Sequence, residues 1–429
     1  MDTKESQENL DFDKEQLYNY VKIFSFPRLA GTQGEKKAVD FTITSFKEIG
    51  FEENKINYQN FVFSTFYSKV MVKIMILMNL IFILIILLIK FLYPFFTFIS
   101  ILILLLIFFS MFKAFKHPEL KGFWEKFFGK FLNATNVFVK IPAIKGSSKK
   151  VGNIIVSAHL DSKSQTFKTF WRVMLARIWL FSEIFLFLFY TLFLIDYHFL
   201  TEHFRQLIIL FEIFILIATI LTIISNLLLF FIRIGNNSRG SLDNATGMSI
   251  VFELSSFFKN HPLDNFNIWF CQFSAEEIGT MGSREFLDIY EYEFTENYTY
   301  QINFDMVSDK NNKRNRIEYI KAYGIIPRKK ISPILSEYFK KAAKTEKINY
   351  YGFNVSLGAH TDSIPFHLRK FDSIDITTKS AANYTHSVED TPDKVDSQIL
   401  LEACKVTQLL ITLLDKNFKN LSNSKLNME

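Results

Sequence analysis

The stretch Asn267-Ile-Trp-Phe-Cys-Gln-Phe273, followed directly by Ser274-Ala-Glu-Glu-Ile-Gly279, decides the fold of this chain. Residues 267–273 are apolar and aromatic, and Pro262 precedes them, which predicts a short buried strand. The strand ends in two adjacent carboxylates, Glu276 and Glu277, at the edge where open α/β sheets bind their ligands. Because neighbouring residues on a strand point to opposite sides, one carboxylate can hold a metal ion while the other transfers a proton.

The composition is unusual for a soluble protein, because 49% of the 429 residues are hydrophobic and 50 residues are Phe. The apolar residues concentrate in four runs, which are candidates for membrane-spanning helices. The net charge of +6 is modest, and Lys and Arg lie at the ends of these runs. This distribution indicates membrane lipid, and no nucleic acid, as a partner. The two cysteines give no sign of a disulfide framework, which is typical of a reducing compartment.

The first pair of apolar runs predicts a transmembrane hairpin over 69–112. No charged residue occurs in 74–89 or in 91–112, and Lys90 with Tyr93-Pro94 separates the two runs by a tight turn. Both runs are apolar on all sides, whereas a helix of a soluble protein needs a polar face.

The second pair, 178–195 and 207–232, predicts another transmembrane hairpin over 171–234. Glu183 and Glu212 interrupt this hairpin near opposite ends, so we expect them to extend to the interface rather than to form an ion path. The sequence therefore predicts an integral membrane protein with four helices.

The basic residues at the ends of the hairpins predict the orientation. Nine stand on the side of the hydrophilic segments and two on the far side. The nine are Lys69, Lys73, Lys113, Lys116, Lys168, Arg172, Arg177, Arg233 and Arg239, and the two are Lys90 and Arg205. The positive-inside rule then predicts a cytoplasmic hydrophilic domain, in agreement with the absence of an apolar signal sequence at Met1.

The remaining segments alternate between strand and helix patterns, which predicts an α/β sandwich. This catalytic domain is discontinuous, over 1–68, 113–170 and 235–420, and a polar tail covers 421–429. We predict helices at 14–24, 35–49, 248–260, 332–345 and 396–415, and strands at 57–65, 136–142, 153–158, 267–273, 300–307 and 373–378. Residues 117–132, rich in Lys, Phe and Trp, are expected to form a helix on the membrane surface.

Five side chains at predicted strand ends or in the following loops are candidate metal ligands: His159, Asp243, Glu277, Asp305 and His386. A mixed set of imidazoles and carboxylates suits zinc, and less often manganese or cobalt. Five ligands can hold two metal ions about 3.5–4 Å apart if one carboxylate bridges them. We expect Asp243 to be that bridge.

Two further carboxylates have predicted catalytic roles. Asp161 can accept the second N–H of the His159 imidazole and so fix its tautomer, and Glu276 is the candidate general base. Each feature alone has an ordinary structural explanation, such as a surface turn, a helix start or a turn cap. His360 and His367 are rivals of His386.

The motifs occur in the order His-X-Asp, Asp-Asn-Ala-X-Gly, Glu-Glu-X-Gly-X-X-Gly-Ser, Asn-X-Asp and His-X-X-X-Asp-Thr. The residues concerned are His159 and Asp161; Asp243–Ala245 and Gly247; Glu276–Gly279 with Gly282 and Ser283; Asn303 and Asp305; and His386, Asp390 and Thr391. This order resembles the co-catalytic dizinc aminopeptidases of metallopeptidase family M28. His159 and Asp243 are 84 positions apart, much more than is usual in the family, and the predicted hairpin 171–234 supplies 64 of them.

The resemblance implies a zinc-exopeptidase fold, in which a mixed central sheet lies between helices. It further implies two Zn²⁺ ions, one held by His159, Asp243 and Asp305 and the other by Asp243, Glu277 and His386. Glu276 would activate a bridging water for attack on the carbonyl of a peptide substrate. Some members place a Tyr directly before the last His as an oxyanion donor. Here Thr385 stands at that position and Tyr384 one residue earlier.

The leading hypothesis is a membrane-anchored zinc aminopeptidase. Carboxypeptidase or glutaminyl-cyclase-like chemistry stays open, because Arg28, Arg284 and Arg369 are available to bind a substrate carboxylate. A non-catalytic receptor or scaffold is a further hypothesis, although all five ligand candidates and Glu276 are present.

Overall fold

The structure is a computed structural model that describes residues 12–88, 94–115, 122–146, 151–199, 205–311, 314–324, 329–355 and 361–421. The chain divides into two compact units. The first consists of Met1–Phe63, Asn133–Ser164 and Gly235–Glu429, and the second of Ser64–Leu132 and Gln165–Ile234. Lys90, Lys116, His360 and residues 422–429 of the predicted tail lie outside the described residues.

A mixed sheet forms the centre of the first unit. Its strands are β1 (Ile56–Ser64), β2 (Phe131–Ile141), β3 (Gly152–His159), β6 (Phe266–Phe273), β7 (Thr299–Phe304), β8 (Ile317–Tyr323), β9 (Lys329–Lys330), β10 (Tyr350–Val355) and β11 (Asp372–Ile376). The order is β1-β2-β6-β3-β7-β11-β8-β10, and β9 pairs with β8. The short strands β4 (Ser164–Gln165) and β5 (Ile234–Gly235) form a separate two-stranded ribbon.

The described part of the first unit contains seven helices: α1 (Lys14–Phe24), α2 (Gln33–Glu48), α8 (Thr246–Asn260), α9 (Met281–Tyr290), α10 (Pro333–Thr345), α11 (Ser363–Leu368) and α12 (Ser397–Lys416). Local signals mark where they begin. Asp13 accepts the backbone N–H of Glu15 at the start of α1, and Asp396 accepts that of Gln398 at the start of α12. All five helices expected for this unit are present, as are the six expected strands, with ends shifted by a few residues.

The central strands present different chemistry on their two faces. Ile154, Val156, Ile302, Phe304 and Ile374 point into one apolar core cluster. The opposite face packs a second apolar cluster along β6, but toward β7 and β11 it carries a buried polar row of Ser157, Asn303 and Asp375, which are direct cross-strand neighbours. Ser157 Oγ donates to Asn303 Oδ1 at 2.8 Å, and Asn303 Nδ2 donates to Asp375 Oδ1 at 2.9 Å. Since side chains alternate along a strand, His159 and Asp305 lie on this same face at the carboxyl edge of the sheet.

The second unit contains α3 (Val72–Leu88), α4 (Pro94–Phe115), α5 (Phe123–Phe128), α6 (Thr169–Phe199) and α7 (Arg205–Phe230). Helices therefore occur at all four places where membrane spans are expected. Within the described ranges, length and apolar composition would let three helical stretches cross a membrane: Phe66–Ile85, Glu212–Phe230 and Ser397–Lys416. The last of these is α12, whose Leu400, Cys404 and Leu410 belong to the core of the first unit. Four spans and their orientation remain predictions.

Polar side chains join the helices of the second unit. Asn79 Nδ2 donates to Glu183 Oε2 at 3.1 Å, and Thr222 Oγ1 donates to Ser182 Oγ at 2.9 Å. Glu183 thus hydrogen-bonds to a neighbouring helix, whereas the sequence predicts that it extends to the interface. Such contacts between helices replace the water that a polar group would lose in an apolar surrounding.

Two regions differ from the sequence expectations. The helix expected over 117–132 is the short α5 in the described part of that range, and strand β2 already begins at Phe131. β8, β10 and α9 were not predicted from the sequence. β8 and β10 carry charged or exposed residues such as Lys321 and Tyr351, so neither shows the continuous apolar run of a buried parallel strand.

Candidate metal centre

Three adjacent parallel strands bring the first candidate residues to one edge of the sheet. β3 pairs in parallel with β6 on one side and with β7 on the other. His159 is the last residue of β3, Asp305 follows β7, and Glu276 and Glu277 follow β6 after a turn at Ser274 and Ala275. The strands therefore end side by side, and their side chains meet above the carboxyl edge.

Asp243 comes from the turn before α8, and buried hydrogen bonds fix that turn. Asp390 accepts the backbone N–H of Leu242 at 2.6 Å through Oδ1 and that of Asp243 at 3.3 Å through Oδ2. Asn244 Nδ2 donates to the carbonyl oxygen of Phe304 at 2.8 Å, which ties the turn to the end of β7. Asp243 is thereby held beside Asp305.

The five candidate ligands form two groups of three that share Asp243. His159 Nε2 lies 3.1 Å from Asp243 Oδ1 and 3.5 Å from Asp305 Oδ1. His386 Nε2 lies 3.2 Å from Asp243 Oδ2 and 3.1 Å from Glu277 Oε2. In each group the three ligand atoms lie within 4.8 Å of one another. The two oxygens of Asp243 face different histidines, as a bridging carboxylate requires.

Atoms of both groups are suited to a cation. His159 Nε2, Asp305 Oδ1 and Glu277 Oε1 are buried and have no hydrogen-bond partner in the described part of the chain. Burial alone would lower the pKa of His159, but Glu276, Asp161, Asp243 and Asp305 together raise it well above its ordinary value. The surplus of negative charge and the mixed imidazole and carboxylate donors fit zinc.

Glu276 belongs to neither group of ligands but lies next to them. Its Oε2 is 3.9 Å from His159 Nε2, and the side chain is buried. Burial raises the pKa of Glu276 well above its ordinary range, and Glu277, Asp305 and Asp362 raise it further, against the opposing effect of His159. A carboxylate with these surroundings is a good proton acceptor.

Asp161 makes different contacts from those predicted. His159 Nδ1 lies 3.0 Å from the backbone carbonyl oxygen of Asp161 and 3.7 Å from its Oδ1. The Asp161 carboxylate instead accepts the backbone N–H groups of Glu276 at 3.1 Å and of Glu277 at 3.3 Å. The backbone carbonyl can thus fix the tautomer of His159, while the side chain holds the two adjacent glutamates.

All three arginines considered for binding a substrate carboxylate contact other groups of the chain. Arg28 is fully buried and makes five hydrogen bonds, to the carbonyl oxygens of Phe24, Phe26, Leu160, Arg239 and Gly240. Burial lowers its pKa to about 10, so it stays charged at neutral pH. Arg369 pairs with Asp288 and Glu291, and Arg284 Nε donates to Thr280 Oγ1 at 3.2 Å.

Tyr384, the candidate oxyanion donor, is oriented by other contacts. Its hydroxyl accepts a hydrogen bond from Asn311 Nδ2 at 2.9 Å, at an exposed position. Its ring lies 5.7 Å from Lys394 Nζ. Neither of these two contacts involves a candidate metal ligand.

Two charged residues of the site were not predicted from the sequence. Lys163 Nζ lies 2.7 Å from Glu277 Oε2. Asp362 is fully buried, accepts a hydrogen bond from Ser283 Oγ at 2.6 Å, and has a pKa raised to about 7, chiefly by burial. Lys163 stands only four residues after His159 in a His-X-Asp-X-Lys pattern, which was a usable signal, whereas nothing in the sequence around Asp362 marks it.

Backbone strain concentrates next to the ligands. His386 itself has φ 62°, and Ala275 before Glu276 and Met306 after Asp305 have φ 57° and 54°. Residues with a side chain rarely adopt this left-handed region, and those that do cluster at functional sites.

Comparison with known proteins finds similarity to peptidases. The family model described as Peptidase family M28 matches residues 229–410. Aminopeptidase YwaD of Bacillus subtilis (strain 168) is 27% identical over 173 residues, which are 39% of this chain and 36% of that protein. The present chain thus aligns with little more than a third of this curated relative.

Solved structures with a similar fold include a glutaminyl cyclase and aminopeptidases. Glutaminyl cyclase from an Acidobacteriales bacterium has a TM-score of 0.54 at 16% identity, over 97% of this chain and 99% of its own. The aminopeptidase from Aneurinibacillus sp. strain AM-1 has a TM-score of 0.53 at 14% identity, over 94% of this chain and 93% of its own. BSAP, a zinc aminopeptidase from Bacillus subtilis, has a TM-score of 0.52 at 14% identity, over 94% of this chain and 95% of its own. At these identities the likeness concerns the fold: a central mixed sheet with flanking helices.

Proposed function

We propose that this protein is a membrane-anchored member of peptidase family M28 that uses two zinc ions to remove N-terminal residues from peptides. The observation that carries the proposal is the pair of ligand groups, His159 with Asp305 and Glu277 with His386, which share Asp243. The M28 match over residues 229–410 and the resemblance to an aminopeptidase support the same reaction class.

The residues have separate roles in the proposed reaction. His159, Asp243 and Asp305 would hold one ion, and Asp243, Glu277 and His386 the other. Bound zinc ions would polarise the scissile carbonyl and lower the pKa of the attacking water. Glu276, whose Oε2 lies 3.9 Å from Nε2 of His159, would accept a proton from that water and return it to the leaving amine. Asp161 holds Glu276 and Glu277 through their backbone N–H groups.

The test is hydrolysis by the purified full-length protein. A panel of aminoacyl fluorogenic amides, the same amides with a blocked amino group, and peptides with a free or blocked carboxyl terminus would be compared. We expect cleavage that requires a free amino terminus, that chelation abolishes and that zinc restores. Equal cleavage by wild type and Glu276→Gln would contradict the assignment of the base.

Glutaminyl-cyclase-like chemistry is the second candidate, because a glutaminyl cyclase is among the solved structures with a similar fold. A peptide with an N-terminal glutamine distinguishes the two reactions. Cyclisation releases ammonia and leaves the peptide bond intact, whereas an aminopeptidase releases free glutamine.

A carboxypeptidase and a non-catalytic receptor or scaffold receive less support from the contacts of the site. A carboxypeptidase needs a cation for the substrate carboxylate, and Arg28 and Arg369 already bind other groups of the chain. A receptor or scaffold without activity does not need five converging ligand atoms and a neighbouring carboxylate. Two zinc ions per chain, lost on His159→Ala or Asp243→Ala, would favour the enzyme, and a stably folded protein that binds no metal would favour the scaffold.

The membrane anchor is the remaining part of the proposal. α3, α4, α6 and α7 would cross the membrane, and the hydrophilic unit would face the cytoplasm. Large apolar side chains that are about half exposed or more support lipid contact, among them Leu84, Leu105, Phe109, Phe187 and Leu216.

A further inference from the structure

Lys163 places a positive charge directly on one of the candidate metal ligands. It follows β3 by four residues, and its side chain is only 10% exposed. Nζ lies 2.7 Å from Glu277 Oε2 and donates to the backbone carbonyl oxygen of Glu277 at 3.2 Å. An ammonium group has three donors, so these two contacts orient the side chain against Glu277.

The two ligand groups therefore have different electrostatic surroundings. In the described residues, the side chains of His159 and Asp305 make polar contacts with Asp161, Asp243 and Glu276 and with each other. Glu277 contacts both His386 and Lys163.

We propose that Lys163 is a positioning residue for Glu277 and that its ammonium group makes the Asp243–Glu277–His386 position the weaker of the two cation sites. The inference rests on the proposed function, because it concerns how this chain holds the two ions. Glu277 Oε2 faces both Lys163 and the ligand His386, while Oε1 is buried and has no hydrogen-bond partner in the described residues, so the ammonium group contacts the same carboxylate that would bind the cation.

Two effects of Lys163 on a divalent cation oppose each other. Lys163 fixes the orientation of the Glu277 carboxylate, which favours cation binding by about the free energy of one charged hydrogen bond. The positive charge of Lys163 repels a cation bound to the same carboxylate. This repulsion is twice as large for a divalent as for a monovalent cation, and it is poorly screened because the site is buried. The second effect is therefore the larger, and Lys163 lowers the affinity of this position. The His159–Asp243–Asp305 position, which lacks such a contact within the described ranges, would fill first.

The experiment measures zinc binding without reference to activity. Metal-free full-length protein in detergent would be titrated with Zn²⁺ in competition with a chromophoric chelator, and both dissociation constants would be fitted. For wild type we expect two equivalents with unequal affinities. Lys163→Met should strengthen the second step at least tenfold and leave the first unchanged. Lys163→Arg, which keeps the charge, should retain the weak second zinc-binding step of the wild type.

A matched control removes an ion pair elsewhere. Lys145 Nζ pairs with Asp264 at 2.6 Å just before the start of β6, at the opposite end of that strand from Glu277, so Lys145→Met should change neither constant. If Lys163→Met does not fold, as judged by thermal unfolding, Lys163→Gln takes its place. A second step that is unchanged or weaker in the folded variant would overturn this inference and leave the proposed function intact. A wild-type chain that binds no zinc would overturn both.

Discussion

The Asp161 carboxylate accepts the backbone N–H of Glu276 at 3.1 Å, so an acid two residues after the first histidine also positions the proposed base. Asp161→Asn would keep one acceptor oxygen but would direct an amide N–H₂ at a backbone N–H. We expect kcat/KM to fall roughly 10–100-fold, the usual loss when a group that supports metal ligands is changed. Steady-state hydrolysis and zinc content measure the effect.

The control for Asp161→Asn is Asp264→Asn, a carboxylate that is half exposed and pairs with Lys145. This variant should retain wild-type kinetics. If Asp161→Asn also retains them, the carboxylate of Asp161 has no part in positioning Glu276.

Glu276→Gln separates the base from the ligands. The substitution keeps the size of the side chain and removes its capacity to accept a proton, so kcat should fall by roughly 10²–10⁴-fold. Zinc content should stay at the wild-type value, because Glu276 belongs to neither ligand group. Glu337→Gln on the exposed side of α10 is the matched control. Loss of zinc together with activity would show that Glu276 is a ligand instead.

The sequence predicts the elements around the site better than the contacts within it. β3 and β6 are largely apolar and β7 alternates between apolar and polar residues, and they lead into His159, the two glutamates and Asp305, so pattern alone locates them. The conformation of the turn after β3 determines which atom of Asp161 contacts His159, and the sequence pattern does not predict that conformation. β8 and β10 escaped prediction because neither is an apolar run: β8 is buried by neighbours that are distant in the chain, and β10 is an edge strand with only Phe353 buried.

The apolar helices predict that the protein cannot be removed from membranes by alkaline carbonate. Four spans would bury large apolar surfaces in lipid, and high pH does not weaken that interaction. Fractionation after carbonate treatment, with detergent as the positive control, measures this. In sealed inside-out vesicles, protease should digest the hydrophilic unit. Release into the carbonate supernatant would contradict membrane insertion, and protection from protease would contradict only the cytoplasmic orientation.

Arg28→Lys should destabilise the fold strongly even though it conserves charge. A lysine has three donors at one point, whereas Arg28 distributes five hydrogen bonds over carbonyls of three chain segments. Loss of two or more of these buried bonds should cost at least about 3 kcal/mol. Urea unfolding of the detergent-solubilised protein measures the change. Arg369→Lys, whose partners Asp288 and Glu291 are exposed, should cost no more than about 1 kcal/mol.

Glu35→Gln should change the pH dependence of stability. Glu35 is 2% exposed and accepts hydrogen bonds from Thr135 N and Ser274 Oγ, but burial still raises its pKa from 4.5 to about 7. A carboxyl group with a raised pKa in the folded state contributes most stability below pH 4.5 and loses it as the pH rises through 7. Glutamine keeps the acceptor oxygen and does not titrate. The melting temperature of Glu35→Gln relative to wild type should therefore rise between pH 5 and pH 8, by the equivalent of up to about 3 kcal/mol. Glu337→Gln, at an exposed position, is the control and should show no such trend. If the difference in melting temperature between Glu35→Gln and wild type is constant with pH, Glu35 is already ionised in the folded protein at pH 5.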